Sequence, residues 1–474
     1  MAMAFSSMSF LFGFLPAVLV CYFLLPARLR RGRNLVLLAF SLAFYCWGGV
    51  RLLPPLLVSC LVSYVSGLAC APGRPYRKAA WLAGITVNLG MLVVYKYTGF
   101  LVGNLNTLGL ELSAPTIALP AGISFFVFQA VAYVTDVYRG TVPPERSPLR
   151  LTLFMAFFPQ ILQGPILRYG EFAPAMTDRR ETMQDAAEGL TRFCFGLAKK
   201  VLLADALGQI ADGAFAAGDR LTVGLAWLGA IAYTLQLYFD FSGYTDMAIG
   251  LGRVFGFRLP ENFDYPYLAK SASEFWRRWH RTLSFWFRDY VYIPLGGNRC
   301  SRRRQALNLL AVWLLTGLWH GAAWNFVLWG LYYAALLLGE KFLYGRALER
   351  LPGGVRHAYA LVAVTVGWVL FRSGSLAQVG EMLSAMFGFA PGGLWSGEGT
   401  YYLLQFRWEL LIAVPAAMPV RDWLRDWLDR RADSSVTADM VLTLGPKLLA
   451  VCLLAFSVVR LLSSTFRSFL YFQF

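Results

Sequence analysis

The sequence predicts an all-α, polytopic integral membrane protein, and three observations carry that prediction. Of 474 residues, 57% are hydrophobic, 16% aromatic and only 15% charged, with a mean hydropathy of +0.52; a soluble enzyme of this length is far more charged. Apolar runs of roughly 20 residues, enough to cross a bilayer core, recur along the chain between short loops. The basic residues behind the net charge of +16 fall in those loops, as the positive-inside rule expects of cytoplasmic loops. The charge is therefore read as topology, and no nucleic-acid partner is expected. Residues 1–474 are read as one membrane-embedded domain.

The first run, Met8–Leu25, has no basic residue ahead of it and no small-residue cleavage pattern, whereas Arg28, Arg30, Arg31 and Arg33 follow closely. It reads as a retained first helix with its N-terminus outside. Runs at Leu35–Val50, Leu53–Ala71 and Ala79–Leu101 come next, and their loops alternate between basic (Arg28–Arg33; Arg74, Arg77, Lys78) and nearly uncharged (Gly48–Leu53). Ile123–Val137 crosses again. Phe154–Tyr169 is cut by Pro159, Gly164 and Pro165, so a re-entrant or interfacial piece is expected there. Leu190–Leu207 carries Lys199, Lys200 and Asp205, and Leu221–Leu251 carries Asp240 and Asp246. At about 100° per residue these two carboxylates cannot share one side of a straight helix. Either a bend at Gly243 or separate partners must accommodate them, and a pairing role and a catalytic one weigh equally.

Ser271–Val291 reads as an amphipathic helix lying in the membrane interface. Arg277, Arg281, Ser284 and Arg288 form a polar stripe, and Trp276, Trp279, Leu283, Trp286, Phe287 and Tyr290 cover the opposite, headgroup-facing side. His280 falls at the edge of the polar stripe. The cluster Arg299, Arg302, Arg303 and Arg304 then marks a cytoplasmic loop. Further on come Ala358–Phe371, a Gly-rich stretch near Ala390–Thr400, a span near Tyr401–Val420, an interfacial helix at Arg421–Arg431 and a last span at Leu448–Leu462. About eleven crossings are expected, with re-entrant and interfacial pieces between them. His357, beside Arg356, reads as an interfacial residue. The seven cysteines are scattered without metal-ligand spacing, so neither a zinc site nor a disulfide framework is supported.

Gln305–Gly339 contains no Asp, Glu, Lys or Arg and carries His320 near its middle. At 1.5 Å per residue it is too long for one straight span, so it must be tilted or broken, with Gly317 and Gly321 bracketing the break. Irregular backbone at membrane depth is tolerated only where protein or a watery cavity satisfies it. An ionisable residue there is a candidate functional site, although a histidine bonded to a neighbouring carbonyl fits the position as well.

Several stretches together resemble the membrane-bound O-acyltransferase family and, within it, the branch of bacterial alginate O-acetyltransferase membrane subunits. They are GISFFVFQAVAYVTDVYRG, FFPQILQGPILRY, GLAKKVLLAD, YFDFSGYTDMAIG, ENFDYPYLAKSASEFWRRWH, FRDYVYIPLGGNR, LWHGAAWNFVLWGLY and FLYFQF, in family order over about residues 122–474. The resemblance implies a bacterial inner-membrane enzyme that moves an acyl group, usually acetyl, from a cytoplasmic thioester to an extracytoplasmic hydroxyl. His320 in LWHGAAW matches the family's essential histidine and His280 in RRWHRT the second histidine position. Trp319 and Arg278 in the same motifs, with Asp240 and Asp246, are supporting candidates. Ala323, Tyr333 and Arg281–Thr282 depart from the alginate branch and bear on the acceptor.

The expected mechanism has His320 as general base, since imidazole titrates near neutrality, with His280 orienting a reactant or relaying a proton. No tightly bound cofactor and no metal are expected. The donor is acetyl-CoA or an acyl carrier protein, docked by Arg299, Arg302, Arg303 and Arg304. The acceptor is a polysaccharide, reached directly or through an SGNH-type partner protein outside. Two alternatives remain: D-alanyl transfer to teichoic acid from a carrier protein, and a transporter or flippase of an acylated substrate.

Overall fold

The computed structural model describes residues 3–113, 115, 117–432, 436–463 and 469–470. Among them no β-strand occurs, and twenty-one α-helices follow one another. The first seven are α1 (Leu15–Leu24), α2 (Arg30–Cys46), α3 (Leu53–Cys70), α4 (Arg77–Asn106), α5 (Ile123–Arg139), α6 (Pro148–Ala156) and α7 (Tyr169–Thr177). The middle seven are α8 (Met183–Ala198), α9 (Asp205–Phe215), α10 (Val223–Val254), α11 (Ala272–Arg278), α12 (Arg281–Phe287), α13 (Arg302–His320) and α14 (Trp324–Phe342). The last seven are α15 (Gly345–Glu349), α16 (Gly353–Arg372), α17 (Leu376–Met386), α18 (Gly397–Gln405), α19 (Arg407–Ala416), α20 (Val420–Ala432) and α21 (Val436–Ser463).

Local chemistry sets many of these boundaries. Ser147, Ser271, Ser301, Ser375 and Ser396 each accept a backbone N–H from the first turn of the helix that follows, a cap contributing about 1 kcal/mol. α5 is bounded at both ends by glycines in the left-handed region, Gly122 and Gly140. A Cβ on Gly122 would lie 2.2 Å from the carbonyl oxygen of Ile161, so only glycine lets α5 start against that loop.

The chain forms two compact units: Met1–Phe193 with Met247–Pro260, and Cys194–Asp246 with Glu261–Phe474. In the first, α3, α4 and α5 pack on one another. The stretch after α6, Phe157–Leu167, is entirely buried and non-helical, so the prolines and glycine there break the chain as expected. It is buried in protein, which satisfies the condition for irregular backbone at membrane depth. In the second unit α13, α14, α16 and α11 surround a core of Trp276, Trp279, Trp313, Trp329, Tyr333 and Trp368.

Four helical stretches are both long and apolar enough to cross a membrane, Val50–Cys70, Arg77–Asn106, Gly353–Arg372 and Met440–Ser463. The expected figure of about eleven is not established by length and composition, because helices such as α10 carry buried charges and α13 opens on three arginines. α4 and α21 have only 11% of their apolar windows buried in protein, which leaves their Val and Leu faces to lipid.

Two expectations are corrected and one is refined. Gln305–Gly339 is broken beside His320, as expected, into a hairpin, α13 and α14, whose turn is Gly321–Ala323. Gly317 lies inside α13 and lets the hairpin close: a Cβ there would sit 2.3 Å from the Phe326 carbonyl oxygen, and one on Gly330 2.5 Å from that of Trp313. Ser271–Val291 is not one interfacial helix, since it breaks at Trp279–His280 into α11 and α12. Its aromatic side is packed in protein, with Trp276, Trp279, Leu283, Trp286 and Phe287 all buried. Tyr401–Val420 is likewise two helices, α18 and α19, parted at Phe406. Of the terminal FLYFQF motif, Tyr471–Phe474 lie outside the described residues.

Candidate active site

His320 is the last residue of α13, 5% exposed. Its ring is enclosed edge-to-face by Trp319, Trp329 and Phe371, with centroids 4.9, 5.0 and 5.0 Å away. The hairpin turn leaves the imidazole at the end of a helix about 28 Å long. Gly321 is extended, and the helix beyond starts at Trp324, with Asn325 donating to the Ser373 carbonyl at 2.9 Å.

His280 is wholly buried, not at the edge of a polar stripe as its helical position implied. The reason is the break: His280 adopts a left-handed backbone, φ 45°, which turns its side chain inward. Among the described residues only Tyr265 shares such a backbone without being glycine. The conformation costs on the order of 1–2 kcal/mol and persists only where the surroundings over-determine it. Here they do: Arg281 N–H donates to the Asn262 carbonyl at 3.0 Å and Asp264 N–H to that of Arg278 at 3.0 Å. His280 Nδ1 lies 3.1 Å from Asn262 Oδ1. The ring stands edge-to-face on Phe241, 4.7 Å away, and borders Trp319 at 6.0 Å. Both imidazoles therefore flank the same indole. Burial pushes the His280 imidazole well below its usual range, so the ring is neutral.

Asp240 and Asp246 take separate partners, and α10 runs through Gly243 as continuous helix. Lys200 reaches Asp240 at 2.6 Å and Asp205 at 2.8 Å, while Lys199 reaches Asp246 at 2.7 Å. The second oxygen of Asp240 accepts the Leu470 N–H at 2.9 Å, and Phe469 lies over Lys200. Phe241 faces His280, whereas its neighbour Asp240 faces Lys200. Arg278 is tied to Glu274 and Asp264 and steadies the loop that carries Asn262. Arg299, Arg302, Arg303 and Arg304 are exposed, the last three in the first turn of α13. His357 meets the Ala269 carbonyl at 3.1 Å and serves packing.

Sequence reasoning missed Asn262, Trp329 and Phe371. Asn262 stood inside the quoted ENFDYPY stretch, and its signal was an amide beside a Pro- and aromatic-rich turn. The two aromatics looked like any others in an aromatic-rich chain.

Fold and site together define a helical membrane protein with a buried two-histidine centre. Residues 144–370 match the model of MBOAT, the membrane-bound O-acyltransferase family. The chain is 41% identical over 503 residues to the probable alginate O-acetylase AlgI of Azotobacter vinelandii, covering 100% of both chains. It is 35% identical over 420 residues to the peptidoglycan O-acetyltransferase of Helicobacter pylori, covering 81% of this chain and 80% of that one. With the teichoic acid D-alanyltransferase of Bacillus subtilis it shares 29% over 265 residues, 53% of this chain and 66% of the other. The chain belongs to the membrane-bound O-acyltransferase family. It is a membrane enzyme that transfers acyl groups to oxygen.

Proposed function

We propose that this enzyme moves an acetyl group from a cytoplasmic thioester to hydroxyls of an extracytoplasmic polysaccharide, with alginate as the first acceptor to test. The observation that carries the proposal is the placement of His320 at the turn of the α13–α14 hairpin. The imidazole is enclosed by aromatic rings and sits at the opposite end of α13 from a cluster of exposed arginines. His320 takes the proton of the acceptor hydroxyl as its oxygen attacks the thioester carbon. The C–O bond forms, the C–S bond breaks, and the thiolate leaves and is protonated on the donor side. The aromatic enclosure keeps out water that would otherwise hydrolyse the acyl group.

Arg299, Arg302, Arg303 and Arg304 would dock the anionic donor, coenzyme A or a carrier protein. Basic residues in a helix's first turn oppose its dipole, so helix stability does not account for them. No tightly bound cofactor takes part. Delivery runs either directly to the polymer or through a serine of an SGNH-type partner outside. Inner-membrane placement is what the family resemblance implies, and the arginine distribution supports an N-terminus outside. D-alanyl transfer is the second reading, and it is the weaker one because those relatives align with about half of this chain, whereas the alginate relative aligns throughout.

The test is transfer of labelled acetyl from acetyl-CoA to surface polymer in membranes holding wild type or His320→Ala at matched expression. A general base contributes roughly 10²–10⁴-fold, so the variant should lose at least a hundredfold in kcat. Equal transfer by both would make His320 structural. Transfer by neither would move the donor to a carrier protein.

A further inference from the structure

The geometry points to Asn262 as the positioning residue that fixes the tautomer of His280, leaving His280 Nε2 as a lone-pair acceptor aimed at a reactant's O–H or N–H. The functional half of this inference rests on the acyltransferase reading of His280; the tautomer does not.

Asn262 is fully buried. Its Oδ1 lies 3.2 Å from the Thr282 backbone N and 2.9 Å from the Thr282 hydroxyl. A backbone N–H can only donate, so the side-chain atom facing it is the carbonyl oxygen and not the NH2 group. The amide orientation, normally ambiguous between O and N, is thereby settled. That same oxygen is 3.1 Å from His280 Nδ1. It has only lone pairs to offer, so Nδ1 must carry the hydrogen. A neutral imidazole has one N–H, and Nε2 is left bare.

Nε2 is buried and has no hydrogen-bond partner among the described residues. A buried polar atom left unpaired is destabilising. That cost is relieved when a substrate brings a donor. The ring's other neighbours are Phe241 and Trp319. The charged residues flanking it in the chain are committed elsewhere or half-exposed: Arg278 to Glu274 and Asp264, and Arg281 at the surface edge. As an acceptor, His280 cannot supply a hydrogen bond to a developing oxyanion. It holds a reactant instead, by the acceptor's hydroxyl or by an amide N–H of the donor. This separates its role from that of His320.

The chain has three histidines, His280, His320 and His357, so a solid-state NMR spectrum of the full-length protein, 15N-labelled at histidine, can be assigned with His280→Ala and His320→Ala. The expected result is a protonated Nδ1 and a bare Nε2 on His280 in wild type. Asn262→Val should introduce the other tautomer, and Asn262→Asp, which keeps an oxygen acceptor, should not. A protonated Nε2 in wild type overturns the inference, as does an unchanged Asn262→Val spectrum. In transfer assays Asn262→Val should lose at least tenfold in activity, with Asn262→Asp recovering part of it. The KM that rises in His280→Ala identifies the reactant: the acyl donor's if an N–H is held, the polymer's if a hydroxyl is. If His280→Ala matches wild type in both KM and kcat, the positioning role is overturned while the His320 reading stands untouched.

Discussion

At the scale of single residues, buried charge is handled by saturation. Glu181, between α7 and α8, accepts from Tyr22 at 2.5 Å and pairs with Arg30, with Arg33 at 3.1 Å and with Arg179 at 3.2 Å. Burial alone would raise its carboxyl; the hydrogen bonds from Tyr22 and Arg30 and the charge of Arg179 outweigh it, and the carboxyl sits below its ordinary value. A folded-state value below the unfolded one means stability that is present above the unfolded carboxylate's titration, about pH 4.3, and lost as pH falls through the folded value. Wild type should therefore lose thermal stability in detergent below about pH 4. Glu181→Gln should cost about 3 kcal/mol at neutral pH, because three guanidinium groups lose their counter-charge, and its acid dependence should be flatter. An acid profile identical to wild type would remove Glu181 as the titrating group.

At the scale of elements, the hairpin is the joint on which the site turns. Gly317 is three residues from His320, and any side chain there meets the Phe326 carbonyl. Gly317→Ala should force α13 and α14 apart, costing about 1–3 kcal/mol as overpacking does, and should reduce transfer more than it reduces folded yield. Trp313→Phe, which empties space in the same core without contacting His320, should lower stability and spare kcat; if the two variants lose kcat equally, hairpin closure does not position the histidine. The sequence marked His320 and the existence of the early helices, because apolar runs and loop charges are local signals, whereas His280 was marked by its match to the family motif. The sequence placed a break beside His320 from Gly317 and Gly321, but left tilt open and did not fix the turn at Gly321–Ala323, since Gly321-Ala322-Ala323 is as apolar as its surroundings. Nor did it show the break at His280, for histidine is no helix breaker and the left-handed turn is held by Asn262, 18 positions away. The partners of Asp240 and Asp246, 40 and 47 positions back, are equally beyond any periodicity.

At the scale of the whole molecule, charge and lipid divide the surface. α4 and α21 offer apolar faces to lipid, while exposed arginines gather where α13 begins. If those arginines dock the donor, Arg302→Gln, Arg303→Gln and Arg304→Gln together should raise the KM for acetyl-CoA severalfold and leave kcat near wild type. Raising salt from 0.05 to 0.5 M should raise the wild-type KM and have little effect on the triple variant, because screening removes what the substitution has already removed. A KM unchanged by both would confine the arginines to topology.

The contact between Leu470 and Asp240 also sets an order in time. Asp240 emerges from the ribosome 230 positions before the N–H that completes its shell, so about half of the chain is still to be made while that carboxylate relies on Lys200. A chain stalled before residue 469 would leave that buried ion pair short of one donor.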